Sequence, residues 1–338
     1  MKNILILGSN GFVGTHLSLV LKDMTDIKMI LGCRDSSKLL EELRTQELRV
    51  GDLRDEKYLD GLFKGVDVLV NLASWSSLFA QKENSKKLFY EPTIEIINRA
   101  KQAGVKKYIN LSTISAASSD RAIDANALGQ FRSFWSHLNN VIRIEDYLRR
   151  RSSESFQVIN LRCGLFVGKH YALGLLPILL PRLKTHLVPF VKGGNTQMPL
   201  IDGRDIAQAF VKAIQSEKLQ RDFEGFNILG KEVPKVKEVF QYLHKRHKYP
   251  YPHFSVPFFV AYPFARLMEF LDPILPNEPL IVRSIVHLLE DTHTDNTKAK
   301  KLLGYDPLSN WKEAIDEQIE EMKLTQTRSM SMHKKLLN

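Results

Sequence analysis

Two rhythms alternate along the first half of the chain: short continuous apolar runs, and longer stretches whose apolar residues fall three and four apart. The run Ile4-Leu5-Ile6-Leu7 has the length and composition of a strand buried on both faces. Immediately after it, Val13, Leu17, Val20 and Leu21 recur at helical spacing and predict a helix with an apolar stripe for a sheet, while Lys22 and Asp23 mark its wet end. The pair of signals then repeats. Strands are expected at 28–35, ending at 49–53, and at 66–74, 108–111 and 156–162, with helices at 55–63 and 92–103. Such alternation predicts a parallel sheet wound right-handedly through crossover helices, an α/β doubly wound fold with its ligand at the carboxyl ends of the strands.

Beyond residue 165 the rhythm is less regular. Residues 205–215 and 236–243 read as helices, and Gly225-Phe226-Asn227-Ile228-Leu229-Gly230 reads as a return to the sheet. An apolar stretch at 171–180 is either core or the wall of a binding pocket. The stretch 256–265 is far short of the roughly 20 residues a membrane span needs. With Arg266 and Glu269 following, it predicts an amphipathic helix that either lines the pocket or lies on a membrane. After Met322 the periodicity is lost and a mobile basic tail is expected. The organisation is therefore a nucleotide-type domain at 1–165, its sheet completed by about 195–230, a smaller C-terminal lobe at 166–194 and 231–320, and a tail at 321–338.

With 338 residues, 43% hydrophobic and 25% charged, the chain can bury a large core. The excess of 48 Lys and Arg over 38 Asp and Glu gives +10, which suits an anionic cofactor, an acidic partner or a membrane surface. Cys33 and Cys163 are too few for a disulfide framework or a zinc site and suit a reducing cytoplasm. The first apolar run is only a strand long and leads straight into glycines, so no signal peptide is expected. No nucleic-acid module is visible. In Leu243-His244-Lys245-Arg246-His247-Lys248 two histidines three apart share a helical face, but no carboxylate or cysteine completes a ligand set. The run reads as the cationic end of a helix, and no metal is expected.

The candidate chemistry begins at Gly8-Ser9-Asn10-Gly11-Phe12-Val13-Gly14. A buried strand ending in glycines and followed by a helix gathers backbone N–H groups and the positive helix end where a pyrophosphate can sit. Gly8 makes the tight turn, Gly11 lets the main chain approach the phosphates, and Gly14 lets the helix pack on the strand. At the end of the second strand an arginine pairs with a ribose 2′-phosphate, whereas an acid accepts from the free 2′-OH. Arg34 precedes Asp35, so NADP is favoured, with NAD the alternative; the other reading is a surface Arg–Asp pair that starts a helix at Ser36. Asp52 either reaches an adenine amino group or caps the next helix.

Several motifs agree in order: Gly-x-x-Gly-x-x-Gly, Arg34, Gly51-Asp52-Leu53, Asn71-Leu72-Ala73, Leu111-Ser112-Thr113, Leu161-Arg162-Cys163-Gly164, Pro199-Leu200-Ile201-Asp202, and Leu303-Gly304-Tyr305-Asp306-Pro307. Over about residues 1 to 320 the chain resembles the extended short-chain dehydrogenase/reductase superfamily, also called the NAD-dependent epimerase/dehydratase group. The segment 256–265 looks most like its 3β-hydroxysteroid dehydrogenase and dihydroflavonol reductase branch. The resemblance implies cofactor contacts from Gly8, Gly11, Phe12, Val13 and Gly14, and from Arg34, Asp52 and Leu53. It implies others from Leu72, Ala73 and Ser74 after the fourth strand, and from Ser112 and Cys163. It is compatible with a homodimer through the helices around Pro92 and His137.

Family members carry a Tyr-x-x-x-Lys pair on the helix after the catalytic Ser or Thr, the Tyr moving the alcohol proton and the Lys lowering its pKa. Thr113 matches the hydroxyl position. Anchored on Ile144-Glu145-Asp146-Tyr147, however, the Tyr position falls on His137 and the Lys position on Val141. Tyr147 and Arg151 keep the spacing of four but lie ten residues late, ~15 Å along a helix. Two classes of function remain. One is an NAD(P)-dependent reductase or dehydrogenase of a small hydrophobic ketone or alcohol, using Thr113 and His137, whose titration would lie near neutral pH. The other is an NADP-binding sensor or scaffold without turnover.

Overall fold

The computed structural model describes residues 1–336 apart from 118–122, 172–173, 218–219, 275–278, 280 and 292, with side chains up to Thr325. Strand β1 (Lys2–Leu7) leads into α1 (Phe12–Leu21), β2 (Ile27–Cys33), β3 (Glu47–Val50), α2 (Glu56–Leu62) and β4 (Val68–Asn71). Short α3 (Lys82–Ser85) runs through a wide turn into α4 (Glu91–Gln102), followed by β5 (Lys107–Thr113), α5 (Ser136–Arg151) and β6 (Gln157–Cys163). The remainder comprises β7 (Leu165–Val167), α6 (Leu175–Lys184), β8 (Phe190–Val191), β9 (Leu200–Asp202), α7 (Gly203–Gln215) and β10 (Phe223–Ile228). Last come α8 (Val236–His247), β11 (Ser255–Val256), α9 (Phe258–Leu271), α10 (Arg283–Leu288), α11 (Thr297–Leu303) and α12 (Trp311–Leu336).

Seven strands form one parallel sheet in the order β10-β6-β5-β4-β1-β2-β3. The order reverses between β1 and β4, which opens a crevice at their carboxyl ends. Ile4, Ile6, Val70 and Ile159 face one apolar layer with α1 and α7, while Leu5, Leu69, Tyr108 and Val158 face another with α2, α4 and α5. This two-sided burial accounts for the continuous apolar runs. A third core lies outside the sheet, where Leu176, Leu180 and Leu183 of α6 meet Val239 and Phe240 of α8 and Trp311 and Ile315 of α12.

Three expectations are corrected. Val20 is 45% exposed, because α1 turns its Thr15 and Ser18 side toward the interior and leaves position 20 outside the buried stripe of Val13, Leu17 and Leu21. The helix expected at Ser36 is a single tight turn, Ser36–Lys38, capped by Asp35 through the Ser37 N–H. The stretch after Met322, where the periodicity was expected to end in a mobile basic tail, continues α12, whose backbone stays helical to Leu336. No Gly or Pro interrupts 311–336, so a helix nucleated against the third core propagates onward.

Candidate functional site

At the carboxyl end of β1 the chain turns through Gly8, whose φ is +77°. A Cβ there would lie 2.8 Å from the Ala73 nitrogen, so the end of β4 abuts the turn closely enough to exclude any side chain. A Cβ on Gly14 would lie 2.3 Å from the Gly8 carbonyl oxygen, which ties the first turn of α1 against the strand. Gly11 occupies the N-cap of α1, and no side chain caps that helix end. Phe12 and Val13 bury their side chains, so what they present to a ligand is main-chain N–H. The Asn10 amide holds the Asp35 carbonyl at 3.1 Å, joining the turn to the end of β2. The arrangement suits a pyrophosphate: donors, a positive helix end and no Cβ in the way.

Arg34 is exposed at that end of β2. Asp52 feels its charge, but its carboxylate is committed to Arg54, whose Nε lies 2.9 Å and Nη2 2.6 Å away. Hydrogen bonds from Arg54 outweigh burial and hold Asp52 down at about 2. Asp52 also accepts from the Arg54 N–H at 2.9 Å, a turn cap, and the cap of α2 is Asp55. Leu53 packs on the layer of α2 and α4, Leu72 is buried, Ala73 is half-buried and Ser74 is exposed.

Two expected cofactor contacts turn inward. The Ser112 hydroxyl donates to Glu145 Oε1 at 2.6 Å, and the Cys163 side chain is fully buried in the core, where burial pushes its thiol well up. Both could meet a cofactor only through main chain. Glu145 also accepts from Asn160 at 2.8 Å and from Arg162 Nε at 2.9 Å and Nη2 at 2.5 Å. Burial alone would raise this carboxyl; the Arg162 guanidinium and the hydrogen bonds overcome that and lower it. The network locks α5 onto β5 and β6.

Thr113 ends β5, with its Oγ1 3.2 Å from both the Ser115 hydroxyl and the Ser115 N–H. His137 lies in the first turn of α5, its Nδ1 3.4 Å from Ser85 Oγ and its ring packed 4.9 Å from Phe89 and 6.1 Å from Trp75. Burial among these groups lowers its pKa to about 4. The near-neutral titration expected of it is therefore corrected: the ring is uncharged at pH 7. Val141, one turn on, is buried. Tyr147 and Arg151 both bond to Asn98 Oδ1 of α4, at 2.6 and 3.1 Å, and so fasten α5 to its neighbour.

One group near Thr113 escaped the sequence reading. His287 of α10 places Nε2 3.1 Å from the Ser115 carbonyl and Nδ1 2.9 Å from Glu290, which also accepts from Tyr262 at 2.5 Å. The only local signal was the spacing of three between His287 and Glu290. The turn after Thr113 is thus held from the C-terminal part of the chain. It borders an apolar cluster of Ala116, Trp135, Leu138 and Ile142, with Leu78, Phe134 and Leu288 packed around it.

Among the described residues, the stretches 171–180 and 256–265, each a candidate pocket wall, pack into different apolar layers. Leu173 lies outside the described residues, while Leu176 and Leu180 belong to the third core. Ala261 and Ala265 pack instead with Val191 and Val286. A helix is drawn to the nearest unfilled apolar layer, and these two have different ones. Among the described residues no helix is long and apolar enough to cross a membrane.

Comparison with known proteins agrees with this geometry. A 3beta-hydroxysteroid-dehydrogenase/decarboxylase isoform 2 from Arabidopsis thaliana is 24% identical over 92% of this chain; the chain spans 60% of that relative's length. The crystal structure of gox2253 superposes with a TM-score of 0.74 at 23% identity, covering 96% of this chain and 99% of that one. MoeE5, solved with UDP-glucuronic acid and NAD, superposes with a TM-score of 0.66 at 18% identity, covering 96% of this chain and 100% of its own. The model of the NAD dependent epimerase/dehydratase family matches residues 4–228, which include the glycine turn, Thr113 and the Glu145–Arg162 lock, and the chain belongs to that family.

Proposed function

We propose that the protein is an NAD(P)-dependent oxidoreductase of a hydrophobic ketone or alcohol, working in a reducing cytoplasm and preferring NADP(H). The observation that carries the cofactor half is the uncapped, glycine-lined start of α1 with the exposed Arg34 beside it. The N–H groups of α1 would hold the pyrophosphate, and Arg34 a 2′-phosphate. When bound, the dinucleotide gives or takes the hydride. Thr113 would hold the substrate oxygen, and His137, with Nδ1 turned to Ser85, would move the proton at Nε2. The name of the plant relative, a hydroxysteroid dehydrogenase/decarboxylase, favours a hydrophobic substrate.

A second reading, cofactor binding without turnover, is favoured by Val141, which puts a buried methyl group where the family has an ammonium. Single-turnover oxidation of bound NADPH against a panel of hydrophobic ketones separates the two. In the first reading, wild type turns over and His137→Ala lowers kcat by about 10² to 10⁴ with NADPH affinity nearly unchanged. Turnover that survives the substitution removes His137 from the mechanism. Tight NADPH binding with no turnover on any ketone establishes the second reading.

A further inference from the structure

Helix α9 is packed inside out. Its inward residues are small, Ala261 and Ala265 against Val286 and Val191, and its one acid, Glu269, is held inside by the Arg283 N–H and Nε, each at 2.7 Å. Its large apolar residues face outward: Phe259 is 79% exposed and Phe270 75%, with Phe264 and Leu267 about half exposed between them. An ordinary surface helix buries its phenylalanines and shows water its small and charged residues. Single exposed apolar side chains need no explanation, but a row of them along three turns does.

The charge beside this row is cationic until the helix ends at Asp272. Residues 168–201 and 239–268 contain no Asp or Glu. The fold brings these two acid-free stretches together: β11 pairs with β8, the Gly193 N–H donates to Ser255 Oγ at 2.8 Å, and the His186 and His253 rings stack at 6.4 Å. Lys184, Lys192, Lys248 and Arg266 are exposed on them, as are the apolar Leu187 and Phe254. Aromatic and aliphatic side chains outermost, beside two cationic stretches without carboxylates, match the requirements of the headgroup region of an anionic bilayer. The cations would meet lipid phosphates while the phenylalanines enter the acyl boundary, and Arg266, lying between Pro263 and Phe270 on the outer face, would extend its head toward the phosphates.

We infer that the outer face of α9, with the basic surface of β8 and β11, docks this protein on an anionic lipid surface. The inference stands apart from the oxidoreductase reading. Flotation of the full chain with phosphatidylcholine vesicles, with and without about 30 mol% phosphatidylglycerol, tests it. Binding is expected to the anionic vesicles and to weaken as salt is raised. Phe259→Asp/Phe270→Asp should weaken it at least about tenfold, with NADPH binding retained as the control for folding. Lys184→Glu/Lys192→Glu, off the helix, should weaken binding to anionic vesicles by a similar factor, and this arm decides the matter if the first variant fails to fold. Absence of binding to either vesicle overturns the inference, as does binding indifferent to the substitutions. A wild type that ignores vesicles but is dimeric on size exclusion, and becomes monomeric in the double Asp variant, overturns it in favour of a second copy as the occupant.

Discussion

Two of the helix starts that follow strands of the sheet, those of α1 and α5, are built in opposite ways. The start of α1 is kept open by backbone: two glycines leave no room for side chains, and nothing caps the N–H groups. The start of α5 is filled with side chains, His137 against Trp75 and Phe89 and Val141 buried one turn on. The first arrangement binds an anion by geometry that almost any substitution at Gly8 or Gly14 would ruin. The second depends on which side chains happen to be present, so chemistry can change there while the helix stays in place. Cofactor binding and proton transfer are therefore physically separable in this fold.

What keeps α5 in place is the buried Glu145–Arg162 pair, and removing one partner is the strongest way to break the comparison. Glu145→Ala strands the guanidinium of Arg162, only 1% exposed, and should cost about 3–5 kcal/mol of unfolding free energy. Adding Arg162→Met should recover much of that, because a neutral apolar pair has no charge to desolvate. Urea titration measures both. In the folded fraction NADPH affinity should change little, since the glycine turn rests on β1 and β4. A large loss of affinity would show that the two helix starts are coupled after all.

The open start was legible in the sequence and the filled one was not. Glycine positions, strand ends and the helix behind them depend on neighbours within a few residues, so Gly8, Gly11, Gly14 and Arg34 could be read directly. Ser112 and Cys163 could be placed at strand ends, but not the direction in which their side chains are engaged. Ser112 meets Glu145 from 33 residues away, and such a contact leaves no local pattern. The surroundings of His137 come from Ser85, Phe89 and Trp75 on other segments, which is why its displaced titration was invisible. For α9 the periodicity gave an amphipathic helix but could not say which side faces in, because Phe and Ala are both apolar and only the partner layer decides between them.

The neutral His137 gives a pH signature that sharpens the contrast. Its folded pKa, about 4, lies below the free value of 6.5, so protonation favours the unfolded chain. The ring imposes no penalty above pH 6.5, and one that grows as pH falls from 6.5 toward 4. Discounted for partial exposure, the full effect is about 2 kcal/mol. Comparing stability curves of wild type and His137→Phe between pH 7 and pH 4 isolates it, and a stability difference between them that is constant across this window would show that the ring is solvated, contrary to its packing.

The smallest expected effect lies at the open start. Arg34 is exposed, so its attraction for a 2′-phosphate is screened by water and salt. NADPH should bind about tenfold more tightly than NADH, equivalent to about 1.4 kcal/mol. Arg34→Ala should remove most of the difference by weakening NADPH while leaving NADH nearly unchanged, because the shared pyrophosphate is held by α1 and not by Arg34. Titration of tryptophan fluorescence with each cofactor in wild type and variant gives the four affinities. Equal affinity for both cofactors in wild type would assign the exposed arginine to solvent, and the open helix start would then discriminate nothing beyond the pyrophosphate.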